Sequence, residues 1–320
     1  MSITLTAADS ETEADPGPGL DDVWATAPFG EAAARMEHQC AVAPLLNLFD
    51  KDPHGFVEGI RTGRLRAALG LFTPNARFSL SHPTVTAVRD GVDVLLDGRY
   101  RYAGEWADVA FVPLAIDGEV RLALLPHSPE ARHSDTSPAD GYGWRVLSGV
   151  RLAAHALSRP VTFDADGPLA AVLDAFGWQF SRGSAELCAR VVADLRRTLA
   201  RSGEGTEALS TSQYVAHELS RLEIEISLAS RAASLGAVFK NEGPGGQSAA
   251  SVLLACTGLL WRTARMAEDL TTELGLPATD SGTGLTTASL QAYFGGRRMV
   301  EGELARRMGL LNPEVPGSLA

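Results

Sequence analysis

The sequence has no run of eighteen apolar residues without a charge, so no ordinary transmembrane helix is expected. It also lacks a basic stretch followed by an apolar one near its start, which excludes a secretory signal there. Met1 to Gly19 is instead polar and rich in Asp, Glu, Pro and Gly, and residues 1–20 are expected to form a disordered leader. Cysteine is scarce. Cys40, Cys188 and Cys256 lie far apart in apolar, helix-like patterns, as expected of small buried hydrophobes in a reducing, cytoplasmic compartment. No Cys/His spacing suits zinc, and no metal site is expected. Positive charge is short as well. Against 39 Asp and Glu stand 28 Lys and Arg, a net charge of -11 that argues against a nucleic-acid surface or an anionic membrane.

What is present is enough for a large core: 320 residues, 45% of them hydrophobic. Three regions follow the leader. From 21 to 70 the pattern is helical, with Ala32, Ala33, Met36, Cys40, Ala43 and Leu46 at three- and four-residue steps. Asp52-Pro53 breaks it, and a short helix from His54 to Arg61 is capped by Gly63. From 71 to 163 strands are expected at Thr84–Val88, Val92–Leu96, Ala107–Leu114 and Val120–Leu125, with turns at Asp97-Gly98 and Asp117-Gly118 and a polar loop from Pro126 to Tyr142. Evenly spaced strands point to a small sandwich or barrel. From 164 to 320 four long helices are expected, Leu169–Arg201, Thr211–Lys240, Ser248–Leu274 and Leu285–Met308, forming an antiparallel bundle. The fold class is thus α+β, mainly α.

The last of these helices carries Gln291-Ala-Tyr-Phe-Gly-Gly-Arg-Arg-Met-Val-Glu-Gly-Glu-Leu-Ala-Arg-Arg-Met-Gly-Leu-Leu311. This resembles the closing segment of acyl-CoA dehydrogenases, an aromatic-Glu-Gly-Thr turn followed by a helix with an Ala-Arg-Arg-like step. Phe56–Gly63, Leu69–Ala76, the Gly98…Ala107-Asp108 spacing and Ser212–Ala229 are similar to further family segments in the same order. Helices, then a β module, then a bundle is also the family's order. The resemblance implies that fold, an acyl thioester substrate, FAD as cofactor, and a homodimer or homotetramer.

The departures fall where the family's chemistry resides. The Glu that usually serves as base is Phe294 here. The family's first three helices have no counterpart. The hairpin after Gly98, which in the family sets an aromatic and a Thr or Ser beside the flavin, reads Tyr100-Arg-Tyr-Ala-Gly-Glu-Trp106, with no Ser or Thr. Tyr102 and Trp106 remain as candidates to stack on the ring. Arg201 is the candidate for the family's pyrophosphate Arg, though no Phe follows it. Gly282-Thr-Gly284 is a thin substitute for the FAD-binding Gly loop and reads better as a turn. Gly295, Gly296 and Arg297, with Arg298, could meet a phosphate through exposed N–H groups and charge. For a relocated base Asp174 is the candidate, one methylene shorter than Glu. Glu301 and Glu303 are expected to pair with neighbouring arginines at helical spacing. His127 and His133 sit in the polar loop.

Three functions are consistent with these residues. One is flavin-dependent α,β-dehydrogenation of an acyl thioester with an unusual base. The second is a flavin-free cyclase, dehydratase or isomerase in specialised metabolism, its pocket lined by Tyr100, Tyr102, Trp106, Phe294 and Asp174. The third is a base-less partner in a hetero-oligomer with an intact acyl-CoA dehydrogenase.

Overall fold

The computed structural model describes residues 20–52, 54–73, 82–103, 106–126, 133–134, 142–162, 168–201, 213–238, 245–273 and 282–308. The leader, most of the Pro126–Tyr142 loop with His127, and residues 202–212 lie outside them.

Four short helices come first: α1 (Leu20–Thr26), α2 (Phe29–Glu37), α3 (Ala43–Leu45) and α4 (Phe56–Arg61), with a π-helical turn, His38–Val42, between α2 and α3. Asp52 caps α4 by accepting the Val57 and Glu58 N–H groups at 3.0 and 2.8 Å. Gly63 takes the left-handed conformation (φ 73°) expected of a residue that ends a helix.

Seven strands follow: β1 (Ala67–Leu69), β2 (Val85–Asp90), β3 (Asp93–Tyr102), β4 (Val109–Ile116), β5 (Glu119–Pro126), β6 (His133–Ser134) and β7 (Gly143–Ala153). Their order is β1-β4-β2-β3-β7-β6, with β5 pairing the other edge of β4. Asp117-Gly118 is a hairpin turn as the sequence predicts, both residues at positive φ (53° and 81°). Asp97-Gly98 is not a turn. β3 runs through it, with a register shift between Leu96 and Gly98 against β7. Gly98 is needed because its φ is 131° and a Cβ there would lie 2.1 Å from the Thr84 carbonyl oxygen. The β2–β3 turn is Gly91-Val92 instead, and β7 had no clear alternation to announce it.

The helices α5 (Pro168–Arg201), α6 (Gln213–Val238) and α7 (Gly245–Glu273) match three expected helices within a few residues. The fourth is broken. α8 (Thr287–Phe294) and α9 (Arg297–Arg307) are separated by Gly295 and Gly296 at φ 67° and 105°, conformations only glycine adopts without strain. α8 starts with a capping box between Thr286 and Ser289, and Glu268 of α7 accepts the Thr287 N–H at 2.6 Å.

Two apolar cores result. One fills the sheet interior with Val85, Val94, Leu96, Tyr100, Val112 and Leu114. The other lies between the opposite side of the sheet and the helices, and carries Trp24, Phe29, Phe72, Phe111, Phe176, Phe180, Tyr293 and Phe294.

Candidate functional site

The second core contains a charged pair. Glu37, the last residue of α2, is fully buried, and its Oε1 lies 2.6 Å from Nη2 of Arg101 on β3, also fully buried. The pair is placed by an edge-strand problem. β1 pairs with β4 on one side only, so its other edge leaves N–H groups open. Glu37 Oε2 accepts the Leu69 N–H at 2.9 Å, and His38 Nδ1 accepts the Ala67 N–H at 3.0 Å. Arg101 donates to the Leu69 carbonyl. The π-helical turn begins at His38, so two consecutive helical residues both serve β1.

Aromatic rings enclose the guanidinium. The Arg101 Cζ lies 4.5 Å from the Tyr293 ring centre and 5.0 Å from that of Tyr142. Tyr142 donates its hydroxyl to the Gly30 carbonyl at 3.0 Å, and its ring meets Tyr293 edge-on at 5.1 Å. Arg101 Nε and Nη1, and the Tyr293 hydroxyl, close no hydrogen bond of ordinary geometry with protein atoms. Burial most strongly opposes the Arg101 charge, but Glu37, Tyr293 and Tyr142 together offset it and hold the guanidinium above its ordinary value. Burial, with Glu37 adding to it, pushes both Tyr142 and Tyr293 well above the ordinary phenol range. His38 is lowered, chiefly by burial.

Phe294 stands beside this pair. It is fully buried and meets Phe72 at 5.5 Å, Phe180 at 5.4 Å and Tyr293 at 4.7 Å between ring centres. Phe180 also stacks on Tyr293 at 5.6 Å and on Phe176 at 5.5 Å. Each such contact contributes roughly 0.5–1.5 kcal/mol beyond its buried area, so the turn at Phe294 is a closed, well-packed part of the core.

The sequence-expected site residues are spread over the molecule. Asp174 is partly buried on α5, two residues before Phe176, hence about 200° round the helix from it. It does not share the face that Phe176 and Phe180 present to α8. Tyr100 is buried in the sheet interior, whereas Phe294 belongs to the other core, so the two do not line one pocket. Tyr102 pairs with Gly143 in the sheet, and its side chain lies outside the described residues. Trp106 is half-buried against the helical core, its Nε1 without a hydrogen-bond partner. Arg201 ends α5, twenty-one residues beyond Phe180 and so about 31 Å along the helix axis. One chain therefore does not bring Arg201 near Gly295, Gly296 and Arg297. Gly295 and Gly296 are buried. Arg297 is exposed and pairs with Glu301 at 2.6 Å, the helical pairing expected for that Glu. Gly282-Thr283-Gly284 is irregular chain, with Gly282 and Gly284 at φ 57° and 56°, whose Thr283 carbonyl accepts the Phe29 N–H at 2.7 Å. His133 lies in β6, paired with Arg145.

The cluster of Glu37, Arg101 and Tyr142 was not foreseen. One signal was available: Glu37 lies four residues after Ala33 and next to Met36, a charge on the apolar face of its helix. Among the described residues no three His, Cys, Asp or Glu side chains group as metal ligands, and no helix is long and apolar enough to cross a membrane.

A flavin does not fit this arrangement. The resemblance puts the ring beside the hairpin that follows Gly98 and the reacting carbon beside position 294. In this chain the segment is not a hairpin, because β2 lies between β3 and β4; Arg101 of β3 touches Tyr293 directly, and Phe294 is sealed among rings.

No protein-family model matches the chain, and no curated protein matches it. Solved structures do. A glutaryl-CoA dehydrogenase from Mycobacterium smegmatis in complex with FADH2 superposes with TM-score 0.63 at 17% identity, over 90% of this chain and 76% of that one. Butyryl-CoA dehydrogenase from Megasphaera elsdenii gives TM-score 0.64 at 17% identity, over 91% and 79%. The prolyl acyl carrier protein oxidase AnaB gives 0.66 at 18%, over 91% and 82%. The chain therefore has the acyl-CoA dehydrogenase fold, as its closing segment led us to expect.

Proposed function

We propose that this chain is a base-less subunit that assembles with a catalytically complete chain of the same fold, whose substrate is an acyl thioester and whose cofactor is FAD. The observation that carries this reading is Phe294. An α-proton is removed by a carboxylate within hydrogen-bond reach, and the side chain at that position is a fully buried phenyl ring. The fold's relatives named above act on acyl-CoA or carrier-protein thioesters by their own names, which supplies the substrate class of the partner.

Assembly is supported by α6. Tyr214, Ile224, Leu228 and Leu235 are each more than half exposed on this one helix. Beside them runs a groove of about 420 Å³ between α5 and α6, floored by Ala189, Val192 and Ile226. The test is co-expression with an acyl-CoA dehydrogenase-fold chain encoded beside it. The two should co-purify, with flavin and desaturase activity that the partner alone lacks. Flavin reduction by an acyl thioester on this chain purified alone would sink the reading.

A second reading, a flavin-free enzyme, is favoured by one observation: Glu37, Arg101, Tyr142 and Tyr293 bring acid–base groups together beside α8. It requires turnover without flavin that is lost in Tyr142→Phe while the fold is kept.

A further inference from the structure

We propose that the space between β3 and α8 is closed in this chain by a charged plug, Arg101 held by Glu37, and that the chain consequently binds no flavin ring there. The inference deepens the base-less reading and rests on it for the identity of the excluded group. It goes further, because loss of a base by itself leaves a cofactor site intact.

Distance carries the argument. A planar ring inserted between two groups needs about 7 Å, a contact of ~3.5 Å on each face. The Arg101 guanidinium lies 4.5 Å from the Tyr293 ring centre. These two groups are already in contact, one on β3 and one on the helix that ends at Phe294. Tyr142 stands next to Tyr293, its ring centre 5.0 Å from the guanidinium carbon and 5.1 Å from the Tyr293 ring, so two adjoining rings cover the charge.

The plug is also fixed. Arg101 uses Nη2 twice, on Glu37 and on the Leu69 carbonyl, and Glu37 uses its second oxygen on the Leu69 N–H. α2, β1 and β3 are thereby tied at one point, and α8 is packed on it. Neither charged side chain has any exposed surface. Arg101 cannot swing aside to admit a ring without leaving Glu37 buried and uncompensated. Restoring a carboxylate at position 294 does not remove this obstacle.

The experiment titrates the full chain with riboflavin, which is the ring alone, and with FAD, following flavin fluorescence and the visible band after gel filtration. For the wild type we expect no saturable change with riboflavin. FAD retained with an unshifted ring band, riboflavin being ignored, also supports the plug, since only the phosphate end is then held. Phe294→Glu should gain no ring binding. Glu37→Leu/Arg101→Ala removes the plug and both charges together, and should bind riboflavin at least tenfold more tightly than the wild type. If that variant fails to fold by circular dichroism, Glu37→Gln/Arg101→Leu is read in the same way.

Wild-type chain that binds riboflavin saturably, or a folded plug-less variant that gains nothing, overturns the proposal. Its failure is distinguishable from failure of the base-less reading. A chain that binds the ring yet desaturates nothing by itself sinks the plug alone. A chain that desaturates a thioester by itself sinks the base-less reading.

Discussion

Arg101 lies with its guanidinium 4.5 Å from the ring centre of Tyr293, the residue before the buried Phe294. Taking two full charges out of water is expensive, and the pair persists because each charge is matched and the strand edge needs both groups. The arrangement is fixed more by what would happen if one partner were removed than by the net value of the pair.

Arg101→Met should therefore destabilise the chain by about 3–5 kcal/mol, the usual cost of leaving a buried charge without its partner. Glu37→Leu/Arg101→Met should cost distinctly less, the remaining loss being the Leu69 N–H and carbonyl left without these two partners. Urea unfolding of both variants checks this. A double variant no more stable than the single one would show that the two residues do not act as a pair.

Phe294→Ala should cost about 3–5 kcal/mol, since it opens a cavity among Phe72, Phe180 and Tyr293. Phe294→Glu should be at least as damaging, because it buries a carboxylate with no partner of opposite charge assigned to it. Thermal melts would decide. A Phe294→Glu protein as stable as the wild type would mean that the turn opens to water far more readily than its packing suggests.

His38 gives a pH dependence with a definite sign. Burial holds its folded value below the ordinary 6.5, so the unfolded chain takes up the proton first. The stability it contributes is complete above 6.5 and is lost as pH falls through the folded value. Protonation also removes the lone pair that accepts the Ala67 N–H. His38→Gln keeps an acceptor that does not titrate. It should show a shallower fall in melting temperature than the wild type on acidification, and parallel curves would refute the assignment.

Two glycines should respond very differently from a third. At Gly98 a Cβ would meet the Thr84 carbonyl oxygen at 2.1 Å, and at Gly183 it would meet the Trp24 indole at 2.1 Å. At Gly91 it would meet nothing within 4 Å, the only penalty being φ 65°. Gly91→Ala is expected to cost about 1 kcal/mol. Gly98→Ala and Gly183→Ala should each cost several times that, since the backbone or a large ring must shift. Comparable losses at all three positions would contradict the tight packing of β2 on β3 and of α1 on α5.

Cys188 and Cys256 should resist thiol reagents in the folded chain, burial having raised them to about 12 and about 11. Cys40, only partly buried, should react first. Modification of all three at one rate under native conditions would argue against the α5–α7 packing.

Much of the fold was legible in the sequence because its signals are local. Apolar spacing marked α5, α6 and α7, and Asp117-Gly118 marked a hairpin whose two residues both adopt positive φ. Phe294 could be seen to lack a carboxylate from its position in the closing segment alone. Asp97-Gly98 misled because the same pair that favours a turn also serves a bulge, and the close approach of Thr84, just before β2, favours the bulge. Likewise, two glycines in a helical pattern did not say whether the helix bends or stops.

What the sequence determined by itself is the order of the elements and the apolar ring at position 294. What only the tertiary structure decided is what packs beside that ring. Glu37 and Arg101 are sixty-four residues apart, and neither carries a local sign of the other. They meet because an edge strand needs an acceptor and the Leu69 carbonyl a donor, and Glu37 and Arg101 supply them. That requirement arises when β1, α2 and β3 come together, so no window of sequence contains it.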